Sequence, residues 1–357
     1  MKRPDTQRAL ASLKDFQHDT VDYVFERMYE QANPATRFLV ADEVGLGKTK
    51  VAQGVIARVI DRLWDTVDRI DIVYICSNAA IARQNINRLN VAGLPQQPLP
   101  DRITLLPREV RNLGRNRVNF ISFTPGTSFN LRSSMGTAEE RALLFKLLPE
   151  DWTSNYQGTV SLLSGSAARD RFSGRLSESV TVDEGLQREY RARLLDRQGD
   201  DPDRAPLRDR FVQLAAALGR RAKLTDEEWR ERSAIISELR SRLAAACIES
   251  LEPDLIILDE FQRFRDLLHG EDAGSGLARQ LFNYPGTRVL MLSATPYKMF
   301  TMADEAGGDE HYADCVQAVS LLQNDPAASN GFRGALDAYR KELFRIGLDD
   351  GGALVAA

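Results

Sequence analysis

The stretch ADEVGLGKT, Ala41 to Thr49, gathers the residue types that bind phosphate. Gly45 and Gly47 let the backbone turn tightly, so successive N–H groups and the start of a helix can face an anion. Lys48 suits the terminal phosphates of a nucleotide, and the Thr49 hydroxyl suits Mg²⁺. Leu46 and Lys50 fall within the same nucleotide-binding stretch. The strict Gly-x-x-x-x-Gly-Lys-Thr spacing is not met, because Asp42 stands at the first glycine. A strand-to-helix turn that happens to end in Lys-Thr is the plain structural alternative.

A second cluster closes the run LIILDEFQ, Leu255 to Gln262. Paired carboxylates at the end of a buried strand are costly unless they bind something. Asp259 suits the water shell of Mg²⁺, and Glu260 can orient and deprotonate an attacking water. An ATPase needs both roles on a strand beside the phosphate loop. A helix N-cap followed by a capping acid is the structural alternative. The three cysteines (Cys76, Cys247, Cys315) and three histidines (His18, His269, His311) are scattered, which disfavours a disulfide framework or a structural metal site. Ser164 and Ser275 complete no Gly-x-Ser-x-Gly elbow. Cys247 reads as core, His269 as an exposed loop, and His311 and Tyr312 as docking the tail.

Short apolar runs must carry these groups. Phe38–Ala41, Ile70–Cys76, Ile103–Leu106, Val118–Phe123, Asp254–Asp259 and Arg288–Ser293 read as strands. Between them, Val51–Trp64 carries a wide helical stripe of apolar residues, Ala79–Val91 is a second helix, and Val21, Val24, Phe25 and Met28 mark an earlier one. Strands alternating with helices imply βαβ units, hence an α/β fold with a parallel sheet flanked by helices. Residues 131–250 differ: basic and acidic residues balance, and Leu207–Leu218 and Asp226–Glu249 are long helical patterns. A structureless loop of that length is uncommon, so a mainly helical insertion is expected, with a turn or exposed loop at Gly199–Pro206.

The motifs, in this order, resemble those of superfamily 2 helicases and translocases. ADEVGLGKT resembles the Asp-Glu-x-Gly-x-Gly-Lys-Thr form of motif I in Swi/Snf-type translocases, which accounts for the absent first glycine. Asp259-Glu260-Phe261-Gln262 occupies motif II, which adds Gln262 to the catalytic set, and Ser293-Ala294-Thr295 with Pro296 resembles motif III, which couples nucleotide state to strand movement. LKDFQ, Leu13 to Gln17, is similar to the Q motif, where Gln17 would recognise adenine; a helix-cap glutamine is the alternative. Tyr74–Asn85 sits at motif Ia and Phe123–Phe129 at motif Ib. The resemblance implies nucleic-acid contacts at Thr124, Gly126 and Thr127, and more weakly at Ser77; Asn78 matches poorly, and an ordinary αβ loop is an equal reading there.

The implied organisation is a P-loop NTPase (RecA-like) lobe in two parts, residues 1–130 and 251–325, interrupted by the insertion 131–250 and followed by a helical tail 326–357. The implied cofactors are ATP and Mg²⁺. The implied partners are nucleic acid, with duplex DNA favoured and RNA open, a second RecA-like lobe in cis or trans, and a protein partner at the insertion. About sixty residues follow Thr295, too few for a lobe of ordinary size, so little ATP hydrolysis is expected of this chain by itself. The competing expectation is a P-loop ATPase or a non-catalytic nucleotide-binding module with no nucleic-acid track.

Composition sets outer limits. The chain has 357 residues, 43% of them hydrophobic, which excludes a largely disordered polymer. With 47 basic and 51 acidic residues the formal charge is −4, so any basic surface must be local. No apolar leader opens the sequence and no long apolar run occurs, so a cytoplasmic location is expected.

Overall fold

In a computed structural model, the structure describes residues 3–41, 45–91, 102–108, 113–129, 135–165, 169–178, 182–196, 204–220, 224–260, 264, 270, 272–293, 319–323, 330–335 and 337–339. Its centre is a five-stranded, wholly parallel sheet. The strands are β1 (Arg37–Ala41), β2 (Ile70–Cys76), β3 (Val118–Phe123), β4 (Leu255–Asp259) and β5 (Arg288–Ser293), in the spatial order β1-β5-β4-β2-β3. Every strand expected from the sequence is present except Ile103–Leu106, which lies in a 3₁₀ segment, Ile103–Arg108. The apolar run there is short and is followed by Pro107, which has no N–H to give a sheet ladder.

The helices follow the apolar periodicity. They are α1 (Gln7–Leu10), α2 (Asp15–Phe25), α3 (Lys48–Leu63), α4 (Ala79–Leu89), α5 (Pro125–Ser128), α6 (Ala138–Leu147), α7 (Tyr156–Ser164), α8 (Arg169–Ser177), α9 (Glu184–Leu195), α10 (Leu207–Arg220), α11 (Asp226–Leu251) and α12 (Ala273–Phe282). A π-helical turn, Glu26–Glu30, extends α2 and buries Met28. Helix α3 buries Val51, Val55, Ile56, Val59 and Ile60 along one stripe. It touches α2 closely at Gly54, where an added Cβ would lie 2.5 Å from Val21 Cγ2.

The sheet divides the core into two layers. Ile72 and Tyr74 of β2, Ile257 of β4 and Leu290 of β5 face α2, α3 and α4. Their neighbours Val73, Ile75, Ile256 and Met291 face the other way, onto α6–α12. Handedness explains this segregation. Parallel crossovers are right-handed, so the two connections running toward β3 (α3 and α4) lie on one face. The connections running back toward β1 lie on the opposite face.

The 131–250 segment is therefore the crossover from β3 to β4. It is mainly helical, as its composition implies, and it packs directly on the sheet. Helix α11 supplies most of that cover, burying Leu239, Leu243, Ala246, Cys247, Ile248 and Leu251. Thr225 caps it, bonding the Glu228 N–H while the Glu228 carboxylate accepts from the Thr225 N–H at 2.9 Å. Buried polar groups lock the layer. Arg141 and Arg232 donate to the carbonyls of residues 161–164, at the carboxyl end of α7. Glu140, fully buried, accepts from Arg240 at 2.9 Å and from the Thr104 hydroxyl at 2.6 Å. That set joins α6, α11 and the 3₁₀ segment. Helical turns continue at 319–323, where the Leu321 carbonyl accepts from Arg37.

Candidate functional site at the carboxyl edge of the sheet

Parallel strands end together, so the residues that follow them share one edge. Ala41 lies opposite Ser293, Leu292 opposite Asp259, Asp259 opposite Cys76, and Ile75 opposite Phe123. That register brings the Gly45–Thr49 turn, Ser77, the Thr124–Thr127 turn, Asp259, Glu260 and Ser293 to the same rim. One expectation is corrected here. Strand β4 is not beside β1; β5 lies between them. Two strand spacings, roughly 10 Å, separate β4 from β1, the strand that leads to the glycine turn.

Both glycines of the turn need positive φ, +98° at Gly45 and +89° at Gly47. Gly47 is the N-cap of α3, and the Lys50 and Val51 N–H groups bond its carbonyl. Having no side chain, Gly47 cannot itself cap the first turn of this 16-residue helix as Ser or Asp would; the positive end of such a helix favours an anion. Lys48 and Thr49 are half-buried at that end, whereas Leu46 and Lys50 are exposed. Lys50 turns toward the Ser12 hydroxyl at 3.4 Å.

Gln17 is buried against this turn. Its Nε2 donates to the Leu46 carbonyl at 3.0 Å, and its Oε1 accepts from the Lys14 N–H at 3.1 Å. The amide thus both caps α2 and tethers the glycine turn. Asp42, the residue at the missing first glycine, lies outside the described residues.

At the acidic end, Asp259 points to the α3–α4 side. The Tyr74 hydroxyl donates to its Oδ2, and Asn85 Nδ2 donates to the same oxygen at 3.4 Å and to the Tyr74 hydroxyl at 2.9 Å. Burial, reinforced by the Asp259 carboxylate, pushes the Tyr74 phenol far above its ordinary value, so it stays a proton donor. Glu260 follows with φ +58°, a left-handed conformation costing about 1–2 kcal/mol outside glycine. That backbone turn takes the second carboxylate off the strand's regular alternation. Gln262, Ala294 and Thr295 lie outside the described residues, and Ser293 is fully buried.

The donors at this rim are hard oxygens, the Thr49 hydroxyl and the Asp259 carboxylate, which suit Mg²⁺ over a soft metal. Among the described residues no group of three His, Cys, Asp or Glu side chains could hold a metal.

The turns after β2 and β3 are more self-contained. Asn78 caps α4 through bonds from the Ala80 and Ile81 N–H groups, beside the exposed Ser77. Thr124 and Thr127 place their hydroxyls 2.5 Å apart, and Thr124 N–H donates to Ser128 Oγ at 3.1 Å. Gly126 faces open space. The other candidate nucleophiles have structural roles: Ser164 donates to the Ser161 carbonyl, Ser275 donates its N–H and hydroxyl to Asp272, the N-cap of α12, and Cys247 is buried with its thiol held protonated. His269 and His311 lie outside the described residues.

Tyr74 and Asn85 are the site residues that sequence reasoning missed. They stand at the two ends of the Tyr74–Asn85 stretch, yet their link to Asp259 spans 185 and 174 positions. The available signal is a tyrosine amid the aliphatic residues Ile72, Val73 and Ile75. No helix among the described residues is long and apolar enough to cross a membrane. Compared with known protein families, curated proteins and solved structures, the chain matches none.

Proposed function

We propose that the chain binds ATP with Mg²⁺ and acts as the RecA-like ATPase lobe of a superfamily 2 nucleic-acid helicase or DNA translocase. The observation that carries this reading is the shared rim: a left-handed glycine turn that opens α3, with a held aspartate and a left-handed glutamate on a strand two positions along the sheet. Lys48 would compensate phosphate charge at the start of α3, where the helix end and the turn's N–H groups already favour an anion. Thr49 and Asp259 would hold Mg²⁺, which when bound neutralises charge on the phosphate oxygens. Glu260 would accept the proton of an attacking water.

Titration with a fluorescent ATP analogue tests the nucleotide reading. Lys48→Ala should weaken Mg²⁺-dependent binding by about tenfold or more, the loss expected for a charge-assisted contact. Equal binding by both proteins would overturn it. A second reading, nucleotide binding without a nucleic-acid track, is favoured by Thr124 and Thr127, whose hydroxyls are engaged with each other. Gel shifts with random-sequence duplexes across a salt series separate the two. Backbone contacts give sequence-independent binding that weakens steeply with salt, whereas no shift supports the trackless module.

A further inference from the structure

The carboxylate expected to hold the metal is steered from one side. Among the described residues, both contacts to Asp259 fall on Oδ2, from a phenol on β2 and an amide on α4. The register explains how they reach it. Cys76 lies opposite Asp259, and Tyr74 sits two positions earlier on the same face of the adjacent strand. Asn85 is anchored in α4 between Ala82 and Ile86, both buried against that face. Asn85 also donates to the Tyr74 hydroxyl at 2.9 Å, so the phenol's own proton is directed to Asp259. With Oδ2 occupied by two donors, Oδ1 is the oxygen left to turn toward the rim.

We propose that Tyr74 and Asn85 are positioning residues that aim the Asp259 carboxylate at bound Mg²⁺. This rests on the ATP–Mg²⁺ reading above, and it adds two residues that touch neither nucleotide nor metal. Partners of this kind fix the orientation of a metal-holding group and raise metal affinity without supplying a ligand.

The test is a Mg²⁺ titration of fluorescent ATP-analogue binding, with a parallel series in EDTA. Tyr74→Phe deletes only the hydroxyl, and Asn85→Leu deletes both amide donations from a half-buried helix position. Each should raise the Mg²⁺ concentration for half-maximal enhancement by roughly 10–100-fold, with affinity in EDTA unchanged. A purely structural role would lower the melting temperature and leave the Mg²⁺ midpoint in place. If Tyr74→Phe fails to fold, Asn85→Leu carries the comparison alone. An unshifted midpoint in a folded variant, with a Mg²⁺-dependent wild type, overturns this proposal and spares the parent reading. A wild-type chain that binds no nucleotide overturns both.

Discussion

A methyl group at Gly47 and one at Gly45 would meet different fates. At Gly45 the added Cβ meets nothing within 4 Å among the described residues, so the cost expected for Gly45→Ala is that of the left-handed backbone, about 1–2 kcal/mol. At Gly47 it would lie 2.5 Å from Gln17 Nε2, so the alanine must also push that amide off the Leu46 carbonyl. Gly47→Ala should therefore lower the melting temperature more than Gly45→Ala does. Adding Gln17→Ala should restore part of the difference, because it vacates the space. Equal melting of the two single variants would show that the contact carries no weight. The glycines and the lysine were legible in the sequence because their spacing is local. The tether from Gln17 was not, since it joins residues 29 positions apart in chain order.

Among the strands, the amino ends of β2 and β4 hold a group whose charge state the fold controls. Asp71 is buried beside Arg69, accepts from Asn119 Nδ2 at 2.8 Å, and gives its N–H to Asp254 Oδ2 at 2.8 Å. Burial pushes the Asp71 carboxyl up to about 7 and Asp254 up to about 6, against the pull of Arg69. An unfolded carboxyl titrates near 4, so between about pH 4 and 7 the folded chain holds more protons than the unfolded one. This contribution to stability is complete below pH 4, declines as the pH rises to about 7, and is then flat. Asp71→Asn removes the titration. In urea unfolding it should stabilise the protein at pH 8 by a few kcal/mol, on the order expected for a shift of this size, and much less at pH 5. A gain of the same size at both pH values would refute the assignment. Sequence pattern reached these strands because each is a short, mainly apolar run, as in IDIVYIC, where Asp71 is the one charged residue. It failed at Ile103–Leu106, where an equally apolar tetrad packs against the end of α6 and α11 as a 3₁₀ turn. Periodicity cannot distinguish such short runs.

At the scale of the molecule, the charged 131–250 segment belongs to the sheet's own core. Its helices cover Val73, Ile75, Ile121 and Phe123, and the Glu140–Arg240 pair binds them to the 3₁₀ segment from within. Removing one partner of such a buried pair costs roughly 3–5 kcal/mol, and removing the whole layer bares one face of the sheet. Excising residues 131–250 should therefore yield insoluble chain, and the intact protein should melt this segment together with the strands. Hydrogen exchange would decide: independent opening of α11 ahead of β2 and β3 would contradict a shared core. Helical patterns such as Leu207–Leu218 and Asp226–Glu249 made these residues legible as helical. Composition could not show where they pack, because a balanced charge pattern describes the outward face of a helix and is silent about the inward one.

The strand order β1-β5-β4-β2-β3 has a further consequence for how the protein comes into being. Among the described strands, the adjacent inner pair β4 and β5 is made last, after more than 250 residues have been synthesised. Translation at about 5–20 residues per second leaves β1 without β5, and β2 without β4, for many seconds. During that interval their unpaired edges are open to other chains. The nascent protein is thus a sheet with its centre missing, and the arrival of β4 and β5 fills the gap and delivers Asp259 and Glu260 to the rim. The last strands to be synthesised complete both the fold and the candidate site.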